Sequence, residues 1–196
     1  MRKARIRRKT KEVDITVELN LDGEGKHRID TGVDFLNHML SLFGKHGIFD
    51  LKIKARGDLG VDIHHVNEDL GIALGCTFLK SLGNKEKISR FGFSFVCMDE
   101  ALIRCVLDIS GRPYLKVRPN KLKIIDDRNY TFSHFKQFLR AFVDHSGISV
   151  HLDISEGEDY HHIIEACFKA LSIALCAAVR IEKRKKGVPT TKGKIG

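Results

Sequence analysis

The short pattern His-His-x-x-Glu occurs twice in this chain, at His64-His65-Val66-Asn67-Glu68 and at His161-His162-Ile163-Ile164-Glu165. The stretches around each copy repeat as well. VDITVELNL alternates apolar and polar residues as a half-buried strand does, and LDGEGKHRID turns through glycine into a second strand. GVDFLNHMLSLFGKHG has helical periodicity and ends in glycine, IFDLKIKARGD alternates again, and HHVNEDLGIALGCTFLKSLG reads as a helix with Asp62 as its cap. FGFSFVCMDEALIRCVLDISGRPYLKV, FSHFKQFLRAFVDHSG, ISVHLDI and DYHHIIEACFKALSIALCAAVRIEK follow the same plan of strands, helix, strand and helix. Even Lys45-His46-Gly47 at the end of one helix resembles His145-Ser146-Gly147 at the end of the other. Two copies make an internal duplication, not a solenoid. The expected fold class is therefore α+β, internally duplicated: two similar halves, each with a mixed sheet and two helices, the helices packed between the two sheets. Residues 1–88 form the first half-repeat, 89–186 the second and 187–196 a C-terminal tail, the halves making one domain.

The length of 196 residues suits such a domain. The net charge of +9 is concentrated at the ends. Seven basic residues lie in the first eleven positions and seven from Arg180 onward, so the body between is mildly acidic. Basic ends suit nucleic acid or a phosphorylated small molecule, and solvated tails are the plainer reading. A nucleic-acid module leaves both HHxxE copies unexplained. The charged N-terminus has no apolar stretch behind it, and no apolar run is expected to span a bilayer, which implies a cytoplasmic protein with no membrane partner. Cys76, Cys97, Cys105, Cys167 and Cys176 sit among apolar neighbours with no C-x-x-C, as reduced, buried thiols do.

Adjacent residues on a helix point about 100° apart. His64 and His65 therefore face different ways, while Glu68 can lie near either. His161, His162 and Glu165 repeat that geometry. Two such helices, related by a pseudo-twofold axis, could enclose a dinuclear site. Imidazole and carboxylate ligands suit Mn, Fe, Co, Ni or Zn, and the absence of thiolates from the motif argues against a structural zinc site.

NLDGEGK, TGVDFLNHML, HGIFDL, GDLGVDIHHVNEDLGIALG, RFG, MDEAL, DISGRPYL, HHIIEACFKA and the terminal PTTKG occur in an order that resembles the imidazoleglycerol-phosphate dehydratase family of histidine biosynthesis, over almost the whole chain. The resemblance implies dehydration of imidazoleglycerol phosphate to imidazole acetol phosphate, with two Mn(II) ions per active site and a shell of 24 identical subunits whose sites form where subunits meet. Under it the metal ligands are His38, His64, His65, Glu68, His161, His162 and Glu165. Glu12, Glu68 and Glu165 are the catalytic carboxylates, with Glu12 moving a proton and contacting substrate contributed from a neighbouring subunit. Arg90, Arg112 and Lys192 bind the phosphate, supported by Lys169 and the hydroxyls of Thr190 and Thr191.

The chain departs from the family at a few points. Gln137 stands where the family has an eighth ligand, a histidine, and it also falls opposite His38 in the internal repeat. An amide oxygen is a poorer ligand than imidazole. His134, one turn earlier, and His151, on the following strand, are possible replacements. Asn37 and Ile63 stand where the family usually has Asp, which removes two carboxylates from the surroundings of the ligands. Thr190-Thr191 replaces two serines and keeps the hydroxyls. A metal-binding relative that has lost catalysis through Gln137 is the alternative reading.

Overall fold

The computed structural model describes residues 2–60, 62–119 and 129–195. The chain runs β1 (Lys3–Lys9), β2 (Val13–Asn20), β3 (His27–Asp30), α1 (Asp34–Gly47), β4 (Asp50–Gly57), α2 (His64–Leu82), β5 (Phe91–Met98), β6 (Ala101–Asp108), β7 (Tyr114–Arg118), α3 (Phe132–Ser146), β8 (Ser149–Glu156) and α4 (Tyr160–Val179). The first six elements and the last six follow one plan. Their sheets have the orders β1-β2-β4-β3 and β5-β6-β8-β7. In each, the first pairings are antiparallel and the last, β3 with β4 or β7 with β8, is parallel. A parallel pair needs a crossover, and α1 and α3 supply it.

The helices lie between the sheets. α2 packs on β1 and β2 and, through its other side, on α3; α4 packs on β5 and β6 and also meets α1. The strands turn alternate residues inward, among them Val13, Ile15, Val17 and Leu19 from β2 and Ala101, Ile103, Cys105 and Leu107 from β6. Glycine sets the spacing of the closest helix pair. A Cβ on Gly71 would stand 2.6 Å from the Phe138 carbonyl oxygen, and one on Gly75 would stand 2.6 Å from that of Phe142. These two glycines, one turn apart, let α2 approach α3 closely enough to bring His64 to Gln137.

Three expectations change. The basic N-terminal run is not a solvated tail. It is the edge strand β1, whose charges pair across the sheet and onto a helix: Arg7 with Asp14 (2.6 Å), and Arg8 with Asp69 on α2 (2.8 Å). Charged side chains on an edge strand also discourage pairing with other chains. Second, α4 is a 20-residue helix long and apolar enough to cross a membrane by length and composition. Its apolar residues are instead buried against β5, β6 and α1, as in a core helix. Third, the thiols are not uniformly buried. Cys105 and Cys167 are, with burial pushing the Cys105 thiol up to about 12, but Cys76 and Cys176 are half-buried and Cys97 is exposed.

α1 ends on Gly47, but the left-handed cap is the next residue, Ile48, at φ 57°; the Phe49 ring occupies the space a Cβ on Gly47 would need. In α3 the glycine itself, Gly147, is the left-handed cap, at φ 69°.

The second sheet contains a carboxylate held by two guanidinium groups. Asp153 on β8 accepts hydrogen bonds from Arg104 on β6 and from Arg118 on β7 (2.5 Å). Burial pushes its carboxyl up, but the bonds from Arg118 and Arg104 outweigh that and hold it below the ordinary value. A carboxyl lowered by folding stabilises the native state above its unfolded pKa and loses that contribution as pH falls through the folded value. Asp153→Asn should therefore cost about 2 kcal/mol in urea unfolding near neutral pH. The gap should close on acidification below about pH 4, and a gap of the same size at pH 2.5 would contradict the assignment.

Candidate active site

The helices aim the histidines in divergent directions, as the 100° offset requires. The rings of His64 and His65 are 5.9 Å apart at 89°, and those of His161 and His162 are 6.4 Å apart at 80°. In each pair the first histidine faces the neighbouring helix and the second faces the hairpin of its own half.

The tightest cluster lies between α1 and α4. Ligand atoms of His38, His161 and Glu165 all fall within 4.8 Å of one another. Glu165 Oε2 is 3.0 Å from His38 Nε2 and 3.2 Å from His161 Nε2, while Oε1 is 2.5 Å from Lys169 Nζ. Residues 161, 165 and 169 share a helix face, which is why a buried carboxylate meets both an imidazole and an ammonium. Burial raises the Glu165 carboxyl; the hydrogen bonds from Lys169 and then His38 overcome this, and its pKa lies below the usual value.

The matching position lies between α2 of the first half and α3 of the second. His64 Nε2 is 3.2 Å from Glu68 Oε2, and Gln137 Nε2 is 2.8 Å from His64 Nδ1. Gln137 thus occupies the place that His38 has in the other half. Its Oε1 is buried without a hydrogen-bond partner among the described residues, as is Nδ1 of His65.

The second histidines face the hairpins. His65 Nδ1 is 3.8 Å from Glu12 Oε2, within a pocket of about 470 Å³ lined also by Arg8, Thr10, Lys11, His64, Glu68 and Asp69. His162 Nδ1 is 2.8 Å from Glu100 Oε2, and its Nε2 is 3.7 Å from Asp99 Oδ2. The bond from His162, then those from the backbone N–H groups of Asp159 and Glu158, bring the Glu100 carboxyl down to about 2. The same bond raises the His162 pKa.

A second pocket of about 420 Å³ is lined by Arg90, Ser110, Arg112, Pro189, Thr190, Thr191, Lys192, Lys194 and Ile195, with no carboxylate among them. The Arg90 guanidinium is fixed by Asp108 (2.8 and 3.1 Å) and by the Pro189 carbonyl (2.9 Å). Arg112 has no carboxylate partner among the described residues.

Several sequence-derived positions move. The two HHxxE helices do not enclose one site within a single chain, because α2 packs on α3 and α4 on α1. Lys169, expected beside the phosphate residues, pairs within this chain with Glu165 and does not line the cationic pocket. His134 is committed elsewhere: its Nδ1 accepts the Thr131 N–H (3.0 Å) in a capping box at the start of α3. His151 is exposed on the outer face of β8 against Tyr114. Asn37 keeps an acceptor where a carboxylate was expected, since its Oδ1 takes the Thr31 N–H (2.8 Å) and hydroxyl (2.7 Å). Ile63 is the N-cap of α2 and offers no side-chain bond; Asp62 accepts the His64 N–H instead (3.2 Å). Glu100 was missed by sequence reasoning. It lies in the MDEAL stretch, where an acidic pair between strands looks like ordinary turn chemistry, and only its position in the repeat, matching Glu12, could have flagged it.

Imidazoles and carboxylates gathered on buried helices, in two copies, are the furniture of an enzyme. A family profile described as imidazoleglycerol-phosphate dehydratase matches residues 31–175. The imidazoleglycerol-phosphate dehydratase of Thermoanaerobacter pseudethanolicus is 53% identical over 194 residues, 98% of this chain and 99% of the relative. That of Prochlorococcus marinus is 49% identical over 195 residues, 99% of this chain and 96% of the relative. A crystal structure of the Staphylococcus aureus dehydratase superposes with a TM-score of 0.81 at 37% identity, covering 92% of this chain and 99% of the other. One from Pyrococcus furiosus gives 0.82 at 37% identity, covering 96% and 99%. The chain belongs to the imidazoleglycerol-phosphate dehydratase family, and is a dehydratase of histidine biosynthesis.

Proposed function

We propose that the chain carries out the metal-dependent dehydration of imidazoleglycerol phosphate to imidazole acetol phosphate, in the cytoplasm, using two Mn(II) ions. The observation that carries this reading is the His38–His161–Glu165 cluster together with its counterpart at His64, Glu68 and Gln137. The donor set fits such ions. It combines imidazole nitrogen with carboxylate oxygen and contains no thiolate. Lys169 occupies only Oε1 of Glu165, so Oε2 is left between two imidazoles. The unpartnered buried atoms, Gln137 Oε1 and His65 Nδ1, are what a site designed around an additional group leaves open. The ligands would be His38, His64, His65, Glu68, His161, His162 and Glu165, with the Gln137 amide oxygen or water in the eighth position. Bound there, the ions supply Lewis acidity that makes the substrate's imidazole ring a better proton donor.

The chain's own groups do the rest. Glu12, exposed on the β1–β2 hairpin, would move a proton at the carbon next to the ring in the site of a neighbouring subunit. Arg112 and Lys192 direct positive charge into the second pocket, where the Thr190 and Thr191 hydroxyls add donors suited to a phosphate. Asp108 holds Arg90 so that its guanidinium is fixed before substrate arrives. Arg112→Ala should raise KM about 10- to 100-fold, the value of a lost charge-assisted hydrogen bond, with a smaller change in kcat. An unchanged KM in steady-state assays would remove Arg112 from phosphate binding.

The reading includes assembly into a homo-oligomer, with 24 copies as the expected size. The Glu12 pocket and the cationic pocket share no lining residue, and the reading has a second copy bring the two chemistries to one substrate. Phe91, Phe93 and Phe95 on β5 are 61, 71 and 66% exposed, an apolar row of the kind that contacts between copies cover. Sedimentation of the protein alongside a dehydration assay tests both parts: the expected result is a large particle that forms the keto product when supplied with Mn(II). An active monomer sinks the assembly, and a loaded protein without product sinks the reaction.

A further inference from the structure

The duplication places a carboxylate at the same point of each half. Glu12 directly precedes β2 after the first hairpin turn, and Glu100 directly precedes β6 after the corresponding turn. Each faces the second histidine of its own HHxxE pair. The likeness ends at the hydrogen bonds. Glu12 Oε2 is 3.8 Å from His65 Nδ1, beyond hydrogen-bond range, and Glu12 is largely exposed. Glu100 is fully engaged. Its Oε2 is 2.8 Å from His162 Nδ1, and its Oε1 accepts the backbone N–H of Glu158 (3.1 Å) and of Asp159 (2.8 Å). An ionised carboxylate only accepts hydrogen bonds. Asp99 Oδ2 faces the other ring nitrogen, but at 3.7 Å from Nε2 it is beyond hydrogen-bond range, so the neutral ring carries its proton on Nδ1 and its lone pair on Nε2.

We propose that Glu100 is a positioning residue, fixing the orientation and tautomer of His162 so that Nε2 is its metal-ligating atom. The inference rests on the metal-dependent reading above. It assigns different work to two carboxylates that the repeat makes equivalent. Glu100 clamps the start of α4 and its ring, whereas Glu12 makes no such clamp and stays available to substrate. A carboxylate behind a ligating histidine fixes its ring and raises its basicity, and losing it lowers metal affinity by about 10- to 100-fold.

The test uses the full-length protein and Glu100→Gln. A glutamine at this point can still accept the Glu158 and Asp159 N–H groups through its oxygen. Its amide nitrogen then faces Nδ1 as a donor, which reverses the demand on the ring. In metal-free, ¹⁵N-histidine-labelled protein, at a pH that keeps the ring neutral, His162 should carry its proton on Nδ1 in the native chain and on Nε2 in the variant. Calorimetric titration with Mn(II) should show one ion weakened about 10- to 100-fold, the other unchanged, and a melting temperature close to native. A native ring protonated on Nε2 overturns the proposal without recourse to any variant. So does a Glu100→Gln protein that keeps the native tautomer, or that binds both ions with native affinity. A native protein that binds no Mn(II) overturns the metal reading itself, and this role with it.

Discussion

Glu165→Gln should lose turnover by at least about 100-fold and release one bound ion per chain. Weakening a group that merely supports a ligand costs about 10- to 100-fold, and Glu165 is itself the point where His38, His161 and Lys169 converge. The substitution keeps the size of the side chain and removes its charge. Lys169 would then face a neutral amide at short range, and Oε2 would no longer attract a cation between the two imidazoles. Glu165 is buried, so a small loss of melting temperature is also expected from the stranded ammonium. Metal analysis of the purified variant, beside steady-state rates at saturating Mn(II), reads both effects. A variant with native metal content and native turnover would remove the α1–α4 cluster from the chemistry.

Gln137→His should act in the opposite direction. It restores the internal symmetry of the two halves, setting an imidazole on α3 against His64 as His38 on α1 is set against His161 and Glu165. The native α2–α3 position offers only an amide whose oxygen has no partner among the described residues. Imidazole is the stronger ligand for these ions, so the weaker of the two ions should bind about tenfold or more tightly in the variant, and turnover at limiting Mn(II) should rise. His134 is a poor substitute there, because its Nδ1 accepts the Thr131 N–H and the proton of the neutral ring is then on Nε2. Equal affinities for both ions in the native protein, unaltered by the substitution, would mean that Gln137 imposes no weakness.

The duplication was legible because it is written locally, in two HHxxE motifs and two matching sets of hydrophobic periods. The divergence of His64 from His65 and of His161 from His162 was legible for the same reason, since helix geometry alone sets it. Strand β1 was hidden by its charges: only Ala4 and Ile6 interrupt a run of Lys and Arg, and an edge strand tolerates that where a central strand does not. The position of Ile48 in left-handed backbone was hidden because glycine, not a β-branched residue, is the usual occupant of such a cap, and here Gly47 is instead needed for the Phe49 ring packed against it. The ion pair of Lys169 with Glu165 was not read from the sequence, because i,i+4 spacing permits such a contact without demanding it. His134 seemed available because nothing in the sequence marks a histidine as the third residue of a capping box, a place usually taken by Glu or Gln. The pairing of α2 with α3, and of α4 with α1, depends on close approach at Gly71 and Gly75 and on packing between distant segments, which no local pattern records.

Metal dependence is the point on which the account turns, and it can be measured on one preparation. The protein is stripped by exhaustive chelation, titrated calorimetrically with Mn(II), and assayed for formation of the keto product from imidazoleglycerol phosphate at each step. The account predicts no turnover from the stripped protein, two ions per chain with unequal affinity, and activity that follows occupancy of the weaker one. Undiminished turnover from the stripped protein, or full loading with no product at any stage, would contradict it.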